Sequence, residues 1–314
     1  MTKPKIVLLD AATLGDVANL DIIEKLGNLT CHDMTASNET ITRLQNADIV
    51  ITNKVIINKE VMDACPQLKL VCIAATGMNN VDLDYAVQKG ISVKNVAGYS
   101  TQSVTQHAFS MLFHLMHHNT YFDNYVKSGE YCKSPLFTFL SRSFFELNGK
   151  RFGIIGLGNI GRSVANVAAA FGAEVCYYST SGKNNNTQYK QLELNELLSS
   201  CDVVSIHCPL NEQTNNLIDE NELKLMQPHA YLLNTGRGGI VNELALAKAI
   251  DNNVLAGAGV DVLTKEPIAV DNPLLSVKNK EKLFITPHIA WASREARATL
   301  VEGIAKNIKE WMGN

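Results

Sequence analysis

Short apolar runs alternate with stretches of helical period along this chain. Runs at 6–9, 49–52, 70–75 and 92–96 make a first set of predicted strands. Runs at 152–155, 174–179, 203–208, 231–234, 258–262 and 284–286 make a second. Val203-Val204-Ser205-Ile206 shows no polar alternation, which suits a strand buried on both faces of a parallel sheet. From Ser103 onward, Val104, Ala108, Met111, Leu112 and Leu115 keep the 3.6-residue period and predict a long helix; a second covers about 295–311. Strands and helices in regular alternation predict an α/β fold with right-handed crossovers.

A length of 314 residues suggests two such units. The net charge is −3 with no run of Lys or Arg, which argues against a nucleic-acid partner or an acidic membrane surface. The apolar run at 6–9 is too short for a signal-peptide core, and no stretch approaches the roughly 18 apolar residues of a membrane span. Seven cysteines without a CxxC pair, among them Cys72, Cys176 and Cys208 inside apolar runs, read as reduced core thiols rather than a disulfide or zinc framework. A cytoplasmic protein is therefore expected.

The first chemical motif follows the run at 152–155. Gly156-Leu157-Gly158-Asn159-Ile160-Gly161 opens a helical pattern, with Val164, Val167, Ala168 and Phe171 on one face. In that context Gly156 allows a tight turn, Gly158 lets backbone approach a pyrophosphate, and Gly161 permits close helix–strand packing. The helix start at Asn159 and Ile160 then turns its positive end toward the phosphates. A dinucleotide is the expected cofactor. The next strand would mark NAD with an acidic residue near its end, yet Tyr178 is followed by Ser179-Thr180-Ser181-Gly182-Lys183. Ser179 suits a ribose hydroxyl, and Lys183, in what reads as a flexible asparagine-rich turn, suits a phosphate. NAD is favoured because no arginine stands there, with NADP left open.

Three further segments carry polar residues just after predicted strands: 233–239 with Asn234, Thr235 and Arg237, 259–267 with Asp261 and Glu266, and 286–291 with His288 and Trp291. In open α/β sheets, ligands bind outside the carboxyl ends of strands, where these segments converge. Together with the glycine turn, they resemble the D-isomer-specific 2-hydroxyacid dehydrogenase family, and the likeness covers nearly the whole chain. Within it, 128–135, 146–150 and 288–292 look most like glycerate dehydrogenases (hydroxypyruvate reductases). The stretch 136–141 departs from that subgroup in lacking acidic and tryptophan residues.

The resemblance implies two doubly wound parallel-sheet domains, Rossmann-like or flavodoxin-like, with an interdomain cleft. Residues 1–98 and 290–314 would form the substrate domain and 99–289 the NAD-binding domain. It implies that His288 donates a proton to a keto oxygen, that Glu266 orients the other ring nitrogen and favours the imidazolium, and that Arg237 binds the substrate carboxylate with its planar fork. Backbone amides of Thr76 and Gly77 would hold the same carboxylate. Asp261 would accept from the nicotinamide carboxamide, while His207, Pro209, Thr214 and Thr235 would line the diphosphate and ribose. The substrate would be a small 2-keto or 2-hydroxy acid. A phosphoglycerate dehydrogenase is disfavoured because the chain leaves no room for a regulatory domain. A dinucleotide-sensing corepressor scaffold is disfavoured because no long polar extension is present.

Two features carry other expectations. His114, His117 and His118 share a helix face, but no carboxylate stands near them, so packing is preferred to a metal site. Phe109, Phe113 and Met116 spread beyond one stripe of that helix and call for cover from outside its own sheet. A homodimer through this helix is therefore expected, as the resemblance also implies.

Overall fold

A computed structural model describes residues 3–16, 19–184 and 186–313. The chain divides into two compact units, Met1–Ser100 with Ala292–Asn314, and Thr101–Trp291.

The first unit holds β1 (Lys5–Leu8), β2 (Asn28–Cys31), β3 (Ile49–Thr52), β4 (Leu70–Ile73) and β5 (Ser92–Lys94), all parallel in the order β2-β1-β3-β4-β5. This is the doubly wound order with a switch point between β1 and β3. There the Asp10 carboxylate accepts the backbone amides of Asn53 and Lys54 at 2.7–3.0 Å, tying together the loops after β1 and β3. The helix Arg294–Met312 packs on this sheet, capped by Ser293, whose hydroxyl accepts from Ala296 N–H. Its Gly303 lies so close to Val96 that a Cβ there would stand 2.5 Å from Cγ1. The apolar pattern does not reveal β2, because this edge strand is paired on one side only and mostly exposed, and so needs no apolar run.

The second unit holds β6 (Arg151–Ile155), β7 (Glu174–Tyr178), β8 (Lys190–Gln191), β9 (Val203–Ile206), β10 (Tyr231–Asn234), β11 (Gly257–Val260) and β12 (Leu283–Ile285). They form one parallel sheet in the order β12-β11-β10-β9-β6-β7-β8. Its switch point lies between β6 and β9. Register sets the geometry that matters. Ile155 pairs with Ile206, Ile206 with Asn234, Asn234 with Val260, and Val260 with Ile285, so five strands end in one row. Residues 156, 207, 235, 261 and 286 all leave the sheet along that edge.

Four strands stop two residues before the predicted run does: β4 at Ile73, β5 at Lys94, β9 at Ile206 and β11 at Val260. Ala74, Cys208 and Val262 remain 1–3% exposed, so burial outlasts the ladder and the hydrophobic pattern overshoots the strand. The consequence is functional. Thr76, His207 and Asp261 stand on loops, not in strands.

The helix Thr101–Met116 packs on β10, β11 and the helix Asn159–Ala170 within its own unit. The expected shortage of cover does not exist. Phe109 and Met116 are buried, and the Phe109 ring lies 5.9 Å from Phe152 and 5.8 Å from Phe171, which also meets Phe113 edge-on at 5.2 Å. These rings fill the helix–helix seam, a layer that periodicity on one helix cannot show. His114 stacks on Phe284 at 4.1 Å and His117 on Phe144 at 4.5 Å.

Candidate active site

At the carboxyl end of β6 the three glycines have separate physical duties. Gly156 takes φ 91°, and a Cβ there would stand 2.7 Å from the amide nitrogen of Cys208. A Cβ on Gly161 would overlap the Gly156 carbonyl oxygen at 2.2 Å. At Gly158 a Cβ would meet nothing within 4 Å. Two glycines are required by packing inside the protein, while the middle one opens onto space beside the amino end of the helix Asn159–Ala170. Exposed Asn159 and half-buried Ile160 begin that helix. That space, fronted by the first amides of the helix, fits a diphosphate.

Ser179, the first residue after β7, adds a second mark of fit. Its Oγ is buried and has no hydrogen-bond partner among the described residues, an orphan hydroxyl where a ribose is expected. The turn beyond it is braced rather than slack. Asn184 Nδ2 donates to Leu157 O at 2.8 Å, and the single proton of Tyr177 Oη lies within reach of the carbonyls of Asn184 and Asn186, at 3.5 and 3.2 Å, and of Gln191 Oε1 at 3.0 Å. Asn185, also part of the expected turn, lies outside the described residues. Side-chain amides here bond to backbone, an ordering that composition alone reads as flexibility.

The loops after β10, β11 and β12 assemble the polar trio. Gly238 lies against Leu263 so closely that a Cβ would stand 2.0 Å from its carbonyl carbon, which locks the Arg237 loop onto the Glu266 loop. Half-buried Arg237 donates from Nη1 to its neighbour Gly236 O at 2.8 Å. Glu266 Oε1 accepts the Leu263 amide at 3.0 Å, and its Oε2 stands 2.7 Å from His288 Nδ1. An ionised carboxylate only accepts, so the ring proton sits on Nδ1 and Nε2 is the nitrogen left for chemistry. His288 has φ 56°, the left-handed region, which costs a non-glycine residue about 1–2 kcal/mol. Its N–H donates to Asp261 O at 2.8 Å and Thr286 O at 3.0 Å, so the loop is held there from both sides.

The other expected residues are placed as follows. Thr76 is exposed just past β4 in the first unit, where its carbonyl accepts from Asn95 Nδ2 and its hydroxyl donates to Val96 O; Gly77 follows it. Thr214 is buried and spends its hydroxyl on its own turn, donating to Pro209 O at 2.7 Å and accepting the Asn211 amide at 2.8 Å. It shapes the loop of exposed Pro209 more than it faces outward. Thr235 is buried, with Oγ1 3.5 Å from His207 Nδ1. Asp261 is 1% exposed, and its carboxylate accepts from the Thr286 hydroxyl and from the amides of Ile289 and Ala290. Thr286 and, behind it, His107 carry no role in the sequence reading; their signal is nearness to His288 and to the helix start. Among the described residues no cluster of metal-binding groups occurs, and no helix is long and apolar enough to cross a membrane.

His207 follows β9, with Nε2 2.8 Å from Ser205 Oγ, and burial pushes its pKa down to about 3. The unfolded chain therefore binds a proton that the native state refuses between about 6.5 and about 3. Native stability falls through that window as pH drops. Replacing His207 by Gln is expected to flatten the fall in urea midpoint between those pH values. Equal slopes for both proteins would show that the ring is not held neutral.

Comparison with known proteins accords with this geometry. Residues 109–290 match the family model described as D-isomer specific 2-hydroxyacid dehydrogenase, NAD binding domain. The hydroxypyruvate reductase of Blautia hydrogenotrophica is 38% identical over 317 residues, covering 98% of this chain and 97% of that protein. The glycerate dehydrogenase of Methylorubrum extorquens is 34% identical over 274 residues, 87% of this chain and 85% of its own. The crystal structure of D-lactate dehydrogenase from Aquifex aeolicus, complexed with NAD and lactic acid, superimposes with a TM-score of 0.83 at 27% identity over 98% of this chain and 95% of that one. A sheet wound for a dinucleotide, a glycine turn that fits one, and relatives along nearly the full length agree, and the chain belongs to the D-isomer-specific 2-hydroxyacid dehydrogenases, enzymes that use NAD or NADP.

Proposed function

We propose that this enzyme reduces a small 2-keto acid, hydroxypyruvate or glyoxylate, to the 2-hydroxy acid. The observation that carries the reading is the 2.7 Å pairing of Glu266 with His288 Nδ1, on loops leaving the same sheet edge as Arg237. The relatives named hydroxypyruvate reductase and glycerate dehydrogenase narrow the substrate class.

In this reading the Arg237 guanidinium binds the substrate carboxylate and draws electron density from the neighbouring carbonyl. Backbone amides of Thr76 and Gly77 serve the same carboxylate. The bound nicotinamide supplies the hydride to the carbonyl carbon. His288 Nε2 gives its proton to the carbonyl oxygen, and Glu266 holds the imidazolium that makes this possible. We assign the dinucleotide to the Gly156–Gly161 turn, Ser179, and the loops carrying His207, Pro209, Thr214, Thr235 and Asp261. Residues 99–289 then act as the dinucleotide domain, and 1–98 with 290–314 as the substrate domain. A reducing compartment such as the cytoplasm suits the five buried free thiols, Cys65, Cys72, Cys176, Cys201 and Cys208.

Consumption of NADH with hydroxypyruvate or glyoxylate tests the reaction. His288→Ala is expected to lower kcat by roughly 10²–10⁴-fold with cofactor affinity kept, and Arg237→Lys to lower kcat/KM steeply because the bidentate fork is lost. Wild-type turnover in the first variant, or full activity in the second, overturns the corresponding role.

For the cofactor, Ser179 offers no charge to repel a 2′-phosphate, and exposed Lys183 adds only on the order of 1 kcal/mol of attraction. NADH is expected to be preferred, with kcat/KM for NADPH within roughly a hundredfold. Ser179→Asp should lower the NADPH-to-NADH ratio, a comparison in which any loss of folded protein cancels. An unchanged ratio would place the 2′-position elsewhere.

We also propose a homodimer, formed through the segment beside the helix Thr101–Met116. Phe137 and Leu140 there are 92% and 84% exposed, and Leu136 and Phe144 more than half, an apolar display that a second copy would cover. Light scattering at micromolar concentration is expected to give twice the 34.4 kDa chain mass; the single-chain mass would overturn it.

A further inference from the structure

The helix Thr101–Met116 reaches the loop that carries His288 at two points. Ser103 and His107, four residues apart, share one face of its first turns. Ser103 Oγ donates to Ala290 O at 2.6 Å, and His107 Nε2 stands 3.0 Å from Thr286 Oγ1. These two contacts flank His288 on either side. They lie outside the Glu266 pairing that orients its ring.

The direction of the second contact follows from the network. Thr286 has one hydroxyl proton, and it points to the Asp261 carboxylate at 2.5 Å, because an ionised carboxylate can only accept. The same oxygen must then accept from His107, so Nε2 carries the proton. His107 Nε2 also stands 3.6 Å from Asp261 Oδ1. Asp261 in turn accepts the amides of Ile289 and Ala290, both at 2.9 Å, and its backbone carbonyl accepts the His288 amide at 2.8 Å. One buried aspartate thus grips residues 286, 288, 289 and 290. The residue in the middle of that grip has φ 56°, a conformation it would not keep unaided. The donor set is completed from the helix by His107.

We propose that His107 is a positioning residue for the reaction: through the Thr286 hydroxyl and the Asp261 carboxylate it holds the His288 backbone in its left-handed pose. The proposal rests on the reading of His288 as the proton donor. Its contacts are with the Thr286 hydroxyl and the Asp261 carboxylate, and its effect is on where the acid points. Removing its N–H leaves Thr286 free to turn its hydroxyl from Asp261, and the grip on 286–290 loosens.

Steady-state kinetics of the whole enzyme with NADH and hydroxypyruvate test this. His107→Ala is expected to lower kcat roughly tenfold while KM for NADH stays within roughly twofold and the melting temperature holds. His107→Gln, which returns an N–H donor at about the position of Nε2, should recover most of the rate. Thr286→Val should match His107→Ala, and the double variant should be no slower than either single one, because both cut the same chain. Should His107→Ala fold poorly, the Gln variant and Thr286→Val carry the comparison alone. Wild-type kcat in His107→Ala or Thr286→Val, beside a crippled His288→Ala, overturns the positioning role and leaves the acid in place. A Gln variant as slow as the alanine variant overturns it as well. Wild-type turnover in His288→Ala removes instead the reading beneath it, and this inference with it.

Discussion

Parallel pairing in the second sheet is the constraint on which everything else depends. Because β6, β9, β10, β11 and β12 run in one direction and end in one row, every loop that leaves them starts along the same edge. Parallel strands require crossovers, and those crossovers cover both faces with helices, so the edge is the open place left for polar residues. Gly156, His207, Thr235, Asp261 and Thr286 are the first residues out of the five strands. The chemistry is distributed across more than a hundred residues of sequence and collected by register.

Close approach between these loops then sets their shape. The Gly156 turn lies on the Cys208 backbone, and Gly238 lies on Leu263, so neighbouring loops fix one another without a side chain between them. A side chain at either point would push apart the loops that carry the cofactor turn or the Arg237–Glu266 pair. Gly158 differs, since its missing side chain leaves room for something outside the protein. Identical residues in one motif thus answer to different requirements, and only the surroundings distinguish them.

Charge is handled economically. Asp261 is buried and tolerable as an anion because a hydroxyl and two backbone amides point at it. Glu266 is more open, with one oxygen on the Leu263 amide and the other on His288. His207, also beside the glycine turn, is kept neutral by burial and pairs Nε2 with the Ser205 hydroxyl and Nδ1 with the Thr235 hydroxyl, donating at one nitrogen and accepting at the other. Two histidines past strands of the same sheet edge therefore have different surroundings. One is paired with the Glu266 carboxylate at 2.7 Å, and the other, pushed down by burial, meets a hydroxyl at each ring nitrogen.

Much of this could be read from the residues in order. Continuous apolar runs located ten of the strands because a strand buried on both faces must be apolar throughout, and the glycine turn declared a dinucleotide because strand, glycines and helix are contiguous. Arg237, Glu266 and His288 stood out as candidates because each lies in a polar segment that begins where a strand ends. Edge strands β2 and β8 were not, since exposure on one side frees them from any pattern. Strand ends were overshot because side chains stay buried after the ladder stops. The cover for Phe109 came from Phe152 and Phe171, forty and sixty residues away in sequence, and the turn after Ser179 owes its order to Leu157 and Tyr177. The link from His107 to Asp261 is of the same kind. Local sequence determines what a segment is, because periodicity and turn chemistry act over a few residues. Which distant segment supplies its hydrogen bonds and its cover is decided by packing, and that exists only once the chain has folded.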